Sequence, residues 1–226
     1  MLSNLPFGAL LSYSPHGTSA AELASASICR AIKRDGHVRG ARGEEPIIPY
    51  AVRRLRDCLT AELADLLAAD VVLVPVPGSA PPPPGKRRAL WVSRRICEEL
   101  LRAGFALRME PLLARRRAVP KSACAGRRER PGLQQHYDSF EVLPWLGAPA
   151  ARITLVDDVI TKGATLLAAA SRLTEAFPDA AVRAFALVRT QNPLDQDRRR
   201  QRFRAIVDPL AAEVSLGRYG AWRRDP

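Results

Sequence analysis

Apolar residues along the chain fall into short continuous runs and longer periodic stretches. Val71-Val72-Leu73-Val74, Ile153-Thr154-Leu155-Val156 and the run from Val182 to Val188 have the density of strands buried on both faces. Between and before them, apolar positions recur at helical spacing. Ser19-x-x-Glu22 reads as a capping box opening a helix that runs to about Lys33. Val52, Leu55, Leu59, Leu63 and Leu66 predict a second amphipathic helix, and Val92, Ile96, Leu100 and Ala103 a third. Leu166, Ala169, Ala170, Leu173 and Phe177 give the apolar stripe of a fourth. Strands separated by helix-length segments predict an α/β fold with a parallel sheet flanked by helices.

The breaks carry information too. Asp35 to Gly43 is Gly-rich and basic and reads as a loop. Pro75-Val76-Pro77-Gly78 ends the first buried run, and Pro81 to Pro84 with Gly85 follows as a stiff exposed loop. A Pro-rich ligand for a partner is the alternative reading of that stretch. Arg115 to Gln135 is basic, punctuated by Gly and Pro and lacks clear periodicity, as expected of a long functional loop or hood. The chain therefore divides into an N-terminal helical segment (1–67), a core with its hood loop (68–190) and a basic C-terminal tail (191–226).

Composition narrows the class. The 226 residues carry a formal charge of +12, with 47% hydrophobic and 26% charged residues, which excludes wholesale disorder. No apolar run approaches a membrane span, and Met1 to Pro15 lacks the look of a signal peptide, so a soluble, cytoplasmic protein is expected. Only four of the 35 basic residues are lysine. The arginine excess favours anionic partners, such as phosphorylated metabolites, pyrophosphate or nucleic acid. Cys29, Cys58, Cys97 and Cys124 form no C-x-x-C pair and read as small apolar packers.

The chemistry concentrates in Ile153-Thr-Leu-Val-Asp157-Asp158-Val-Ile-Thr161-Lys162-Gly163-Ala164-Thr165. Adjacent carboxylates at a strand's carboxyl end stand where open α/β sheets bind ligands. Acceptors only when ionised, they suit the neighbouring hydroxyls of a ribose. The loop Thr161 to Thr165 feeds a helix N-terminus, whose unpaired N–H groups, dipole and threonine hydroxyls make an anion cradle. Gly163 lets the backbone curl there. The alternative is a helix cap with solvated acids after an ordinary strand.

This segment resembles the phosphoribosyl pyrophosphate (PRPP) signature of type I phosphoribosyltransferases. Asp70-Val-Val-Leu-Val-Pro75-Val76-Pro77, the basic stretch and helix after it, and a basic hood ending Ser139-Phe140-Glu141-Val142 are similar to the ComF/amidophosphoribosyltransferase-like branch. The resemblance implies a phosphoribosyltransferase fold in which Asp157 and Asp158 are catalytic and Thr161, Lys162, Gly163, Ala164 and Thr165 hold the 5-phosphate. Pro75, Val76 and Pro77 would bind pyrophosphate, aided by Lys86, Arg87 and Arg88. Lys121 and Ser122 in the hood are candidates for a lid, and His136 for a contact to the acceptor or the leaving group, with a satisfied structural imidazole the favoured reading of His136. Mg²⁺ would enter with PRPP, with no protein ligand assigned to it directly.

The implied reaction transfers ribose 5-phosphate to a nitrogenous small-molecule acceptor and releases pyrophosphate. Positioning and charge neutralisation would do most of the work. Where the family usually has Arg-Gly-Phe-Asn-Gln, this chain has Arg87-Arg88-Ala89-Leu90-Trp91, and Lys162 replaces the second loop threonine. Thr161 stands where hypoxanthine/guanine salvage relatives place an Asp, which argues against hypoxanthine or guanine as the acceptor. The alternative function is a non-catalytic PRPP-binding sensor or a ComF-like DNA-uptake accessory. Weak nucleic-acid contact through Arg198 to Arg204, a solvated face for the same run, a homodimer, and a scaffold built on the Trp-containing helix are the other expectations; no membrane partner is expected.

Overall fold

The computed structural model describes residues 1–13, 20–40, 43–81, 90–120, 131–145, 147 and 150–190, and the backbone of strands at 203–204 and 213–219. Five parallel strands form the centre of a seven-stranded sheet: β1 (Leu5–Tyr13), β4 (Val72–Pro75), β5 (Arg108–Met109), β8 (Arg152–Ile160) and β9 (Ala181–Thr190). Their spatial order is β1-β9-β8-β4-β5. Beyond β1 lie β11 (Glu213–Tyr219) and β10 (Phe203–Arg204), with β11 antiparallel to β1. The architecture is α/β, a parallel sheet flanked by helices, as the alternation of buried runs and helical stripes predicts.

Alternation along the strands divides the core into two layers. Leu73 of β4, Val156 of β8 and Phe185 of β9 face α1 (Ala20–Lys33), α2 (Ile47–Asp57), α3 (Ala61–Leu66) and α4 (Val92–Arg102), where Ile32, Leu55, Leu63 and Ile96 meet them. Val72, Val74, Ile153, Leu155 and Ala184 face α6 (Ala164–Ala176). Ala168, Ala169 and Ala170 of α6 are fully buried. Their small side chains let the helix lie close against the sheet. Truncating a fully buried leucine such as Leu155 to alanine costs on the order of 2–5 kcal/mol.

The hood packs over the α6 side. A short antiparallel pair, β6 (Leu113–Arg115) and β7 (Phe140–Val142), brackets α5 (Leu133–Ser139). Leu113 and Phe140 join the same layer as α6.

Several expectations change. The helix expected across Val52 to Leu66 is two helices. Thr60 breaks it by capping α3, its Oγ1 accepting from the Leu63 N–H at 3.3 Å, and Leu59 is left 38% exposed. The expected loop around Asp35 to Gly43 is largely a hairpin of β2 (His37–Gly40) and β3 (Gly43–Pro46). Segment 1–67 is not helical alone: β1 lies within the central sheet, because Leu5, Phe7, Ala9 and Leu10 are apolar enough to be buried there. The tail 191–226 adds a strand beside it, Leu5 facing Tyr219. Arg198 to Arg202, the cap residue Ser19, Cys124 and Pro82 to Gly85 lie outside the described residues. Among the described residues no helix is long and apolar enough to cross a membrane.

Candidate functional site

The last β4–β8 pair joins Pro75 to Val156, and the Val76 N–H still donates to the Val156 carbonyl at 2.9 Å. The next residue of β8 is Asp157. The loop leaving β4 and the acid pair are thus side by side where the β4–β8 pairing stops, while β8 runs on beside β9 to Ile160. Asp157 and Asp158 are both half-buried. Asp157 Oδ1 accepts from Ser93 Oγ of α4 at 3.3 Å and from the Asp158 N–H at 2.9 Å. Asp158 Oδ1 accepts from the Val159 N–H at 2.8 Å.

Burial first, and the adjacent Asp158 charge second, push the Asp157 carboxyl well above the ordinary carboxylate range. Hydrogen bonds from the Asp158 N–H and from Ser93 pull the other way and are outweighed. The Arg115 guanidinium also interacts favourably with the Asp157 charge, without reversing the direction. Asp157, buried beside a second carboxylate, therefore holds its proton more readily than an ordinary carboxyl.

After Ile160 the chain turns through exposed Thr161 and Lys162 to Gly163, the N-cap of α6. Gly163 has φ 77°, the left-handed conformation in which a β-carbon is strained. No side chain caps the helix at this residue, so its first N–H groups have no local side-chain acceptor there. Thr165, in the first turn, points its Oγ1 at His136 Nε2, 3.3 Å away.

His136 is 4% exposed and lies between Thr165 and Arg115, rather than on an open acceptor face. Its Nδ1 is 3.2 Å from Arg115 Nη2. Burial, then the Arg115 charge, lowers its pKa from 6.5 to about 4. Arg115 is itself 5% exposed and stacks over the Phe140 ring, 3.7 Å from the centroid. It donates through Nε to the Gly78 carbonyl at 3.0 Å and through Nη1 to Ser139 Oγ. Burial lowers its pKa to about 10, with the Asp157 charge acting in the opposite direction.

The Pro75–Ser79 loop is held from three sides. Trp91 Nε1 donates to the Val76 carbonyl at 2.8 Å, Arg115 to Gly78, and the Val119 N–H to the Ser79 carbonyl at 2.8 Å. Its shape is therefore set before any ligand arrives. Lys86, Arg87, Arg88, Lys121 and Ser122 lie outside the described residues. No motif or spacing in the sequence singles out Ser93 or Arg115. Arg115 opens an arginine run that looks solvated, and only its place two residues after buried Leu113, on the same strand face, distinguishes it from Arg116 and Arg117. Among the described residues, no group of three or more His, Cys, Asp and Glu side chains converges as a metal site.

No model of a known protein family and no curated protein matches this chain.

Proposed function

We propose that this chain binds PRPP at the carboxyl edge of its sheet and transfers ribose 5-phosphate to a nitrogenous acceptor, as a type I phosphoribosyltransferase-like protein. The observation that carries the reading is the strand–acid pair–glycine-capped helix unit. In it, Asp157 and Asp158 precede the open N-terminus of α6 by one short loop. A five-stranded parallel sheet with helices on both faces is compatible with that fold.

In this reading Asp157 and Asp158 accept hydrogen bonds from the ribose hydroxyls, which relieves their crowding. The α6 N–H groups and the Thr161 and Thr165 hydroxyls hold the 5-phosphate. The Pro75–Ser79 loop receives the pyrophosphate in a shape already fixed by Trp91, Arg115 and Val119. Preorganisation of this kind lowers the barrier because nothing need reorganise as charge moves to the leaving group. Mg²⁺ bound with PRPP would neutralise pyrophosphate charge, and carboxylate oxygens such as those of the acid pair suit a divalent cation or its water ligands.

A second reading, a non-catalytic PRPP sensor, is favoured by Trp91. Its indole N–H is spent on the Val76 carbonyl, at the end of a stretch that departs from the family pattern. Calorimetry with PRPP and Mg²⁺ tests the shared core of both readings, and equal affinity in the wild type and an Asp157→Asn/Asp158→Asn variant rejects it. Pyrophosphate release with a panel of amine and ammonia acceptors then separates enzyme from sensor. DNA retention that disappears as salt rises is the behaviour expected of the basic surface alone. A complex surviving physiological salt would favour the nucleic-acid role instead.

A further inference from the structure

We propose that Arg115 and His136 are positioning residues that turn the Thr165 hydroxyl into a hydrogen-bond donor toward the bound 5-phosphate and tie that cradle to the Pro75–Ser79 loop. The proposal rests on the PRPP reading above and assigns the hood a role within that site.

A guanidinium has donors and no acceptor, so the 3.2 Å contact from Arg115 Nη2 must end on a lone pair of His136 Nδ1. The proton of the neutral imidazole is then on Nε2. That N–H faces Thr165 Oγ1 at 3.3 Å and donates to it. Thr165 consequently does not spend its own proton on His136. The hydroxyl hydrogen remains available in the first turn of α6, where the helix N–H groups and dipole already favour an anion.

The opposite tautomer would reverse the effect. With the proton on Nδ1, Thr165 would donate to Nε2 and turn lone pairs toward the anion, which repel it. Arg115 forbids that tautomer by presenting a hydrogen where Nδ1–H would need an acceptor. Burial and the Arg115 charge also keep the ring neutral. The same guanidinium reaches the Gly78 carbonyl and Ser139 Oγ and is stacked on Phe140, so it has little freedom to leave Nδ1. One buried arginine therefore touches the loop assigned to pyrophosphate and, through His136, the cradle assigned to the 5-phosphate.

Two measurements on the full chain test this. Nitrogen NMR of the ligand-free protein reads the His136 tautomer directly. Proton on Nε2 is expected, and proton on Nδ1 overturns the proposal whatever the protein binds. The second measurement is calorimetry with ribose 5-phosphate on Thr165→Val, Thr165→Ser, His136→Phe and His136→Gln. Thr165→Val should weaken binding about tenfold, the loss expected for one hydrogen bond to a charged group, and Thr165→Ser should not. His136→Phe should lose about as much. Combining it with Thr165→Val should add nothing further, because both remove the same donor. Gln can place an N–H near the Nε2 position, so His136→Gln should recover much of the affinity. It also serves as the informative variant if the phenylalanine protein does not fold. Binding by the wild type with additive losses in the double variant overturns the relay alone. Absence of ribose 5-phosphate and PRPP binding in the wild type overturns the PRPP reading and this role with it.

Discussion

Strand β8 carries charge at both ends, and the two ends are built on opposite principles. At its amino end Arg152 meets both Asp70 and Asp65, and Arg183 of the neighbouring β9 meets the same Asp65. Each carboxylate there faces a guanidinium. Burial tends to raise the Asp65 pKa, but Arg183 and Arg152 together more than reverse it and hold it below the ordinary value. At the carboxyl end Asp157 and Asp158 sit next to each other, receive only Ser93 and backbone donors in the contacts described above, and Asp157 is pushed upward. One end is electrostatically finished within the protein. At the other, burial and a like charge leave Asp157 raised, an imbalance of the kind expected at a candidate site.

The largest expected effect breaks the site end. In the proposed function, Asp157→Asn with Asp158→Asn removes the ionic acceptors assigned to the ribose hydroxyls, so PRPP affinity should fall by about 3 kcal/mol or more, roughly a hundredfold. Stability should move the other way. A carboxyl whose folded pKa is raised detracts from stability once pH passes the ordinary carboxylate range toward the folded value, and most fully above it. Removing that charge at neutral pH should leave the melting temperature unchanged or higher, a trade of function against stability. A variant that loses binding and also melts much lower would make the acid pair structural.

His136 sharpens the same contrast through pH. The unfolded chain binds a proton on this ring near 6.5, the folded chain only near 4. Stability from its neutral burial is therefore complete above about 6.5 and lost as pH falls through that window. The difference amounts to about 3 kcal/mol at most. His136→Phe should remove this part of the acid sensitivity in melts taken between pH 7 and 4. An unchanged pH profile would mean the ring is not held neutral by Arg115 and burial.

Gly163→Ala comes next. A β-carbon at φ 77° costs on the order of 1–2 kcal/mol. The melting temperature should fall accordingly, and an anion bound at the α6 N-terminus should bind more weakly because the turn that aims its N–H groups is strained. Full retention of both would show that the turn relaxes freely.

How far this was legible follows from the same residues. The buried runs at Val71 and Ile153 and the stripe from Leu166 declare strands and a helix because period and composition agree. The acid pair and Gly163 are readable because their spacing is local. Thr60 was harder: the apolar period runs on through Leu59, and only a cap hydrogen bond decides where the helix breaks. β1 was missed because an apolar N-terminus has no neighbour in sequence to reveal its partner, β9, far along the chain. Arg115 and His136 act through contacts across the hood, and an arginine run gives no sign of which member turns inward.

The smallest expected effect belongs to the finished end. Asp65→Asn removes the charge that Arg152 and Arg183 share, but Arg152 keeps Asp70 and the Asp65 carbonyl still accepts from both arginines. Asp65 is largely exposed, so water and salt screen the loss. Stability should drop by less than about 1 kcal/mol at low salt and by less still at high salt. Because the folded pKa of Asp65 is lowered, its contribution is present above the ordinary carboxylate value and disappears as pH falls through the folded value. The amide variant should therefore differ from wild type near neutrality and converge with it in acid. PRPP affinity should not change, since Asp65 lies at the opposite end of the strand from Asp157. A shift in affinity as large as that of the acid-pair variant would mean that β8 transmits strain along its length, and the division between a finished end and an open one would fail.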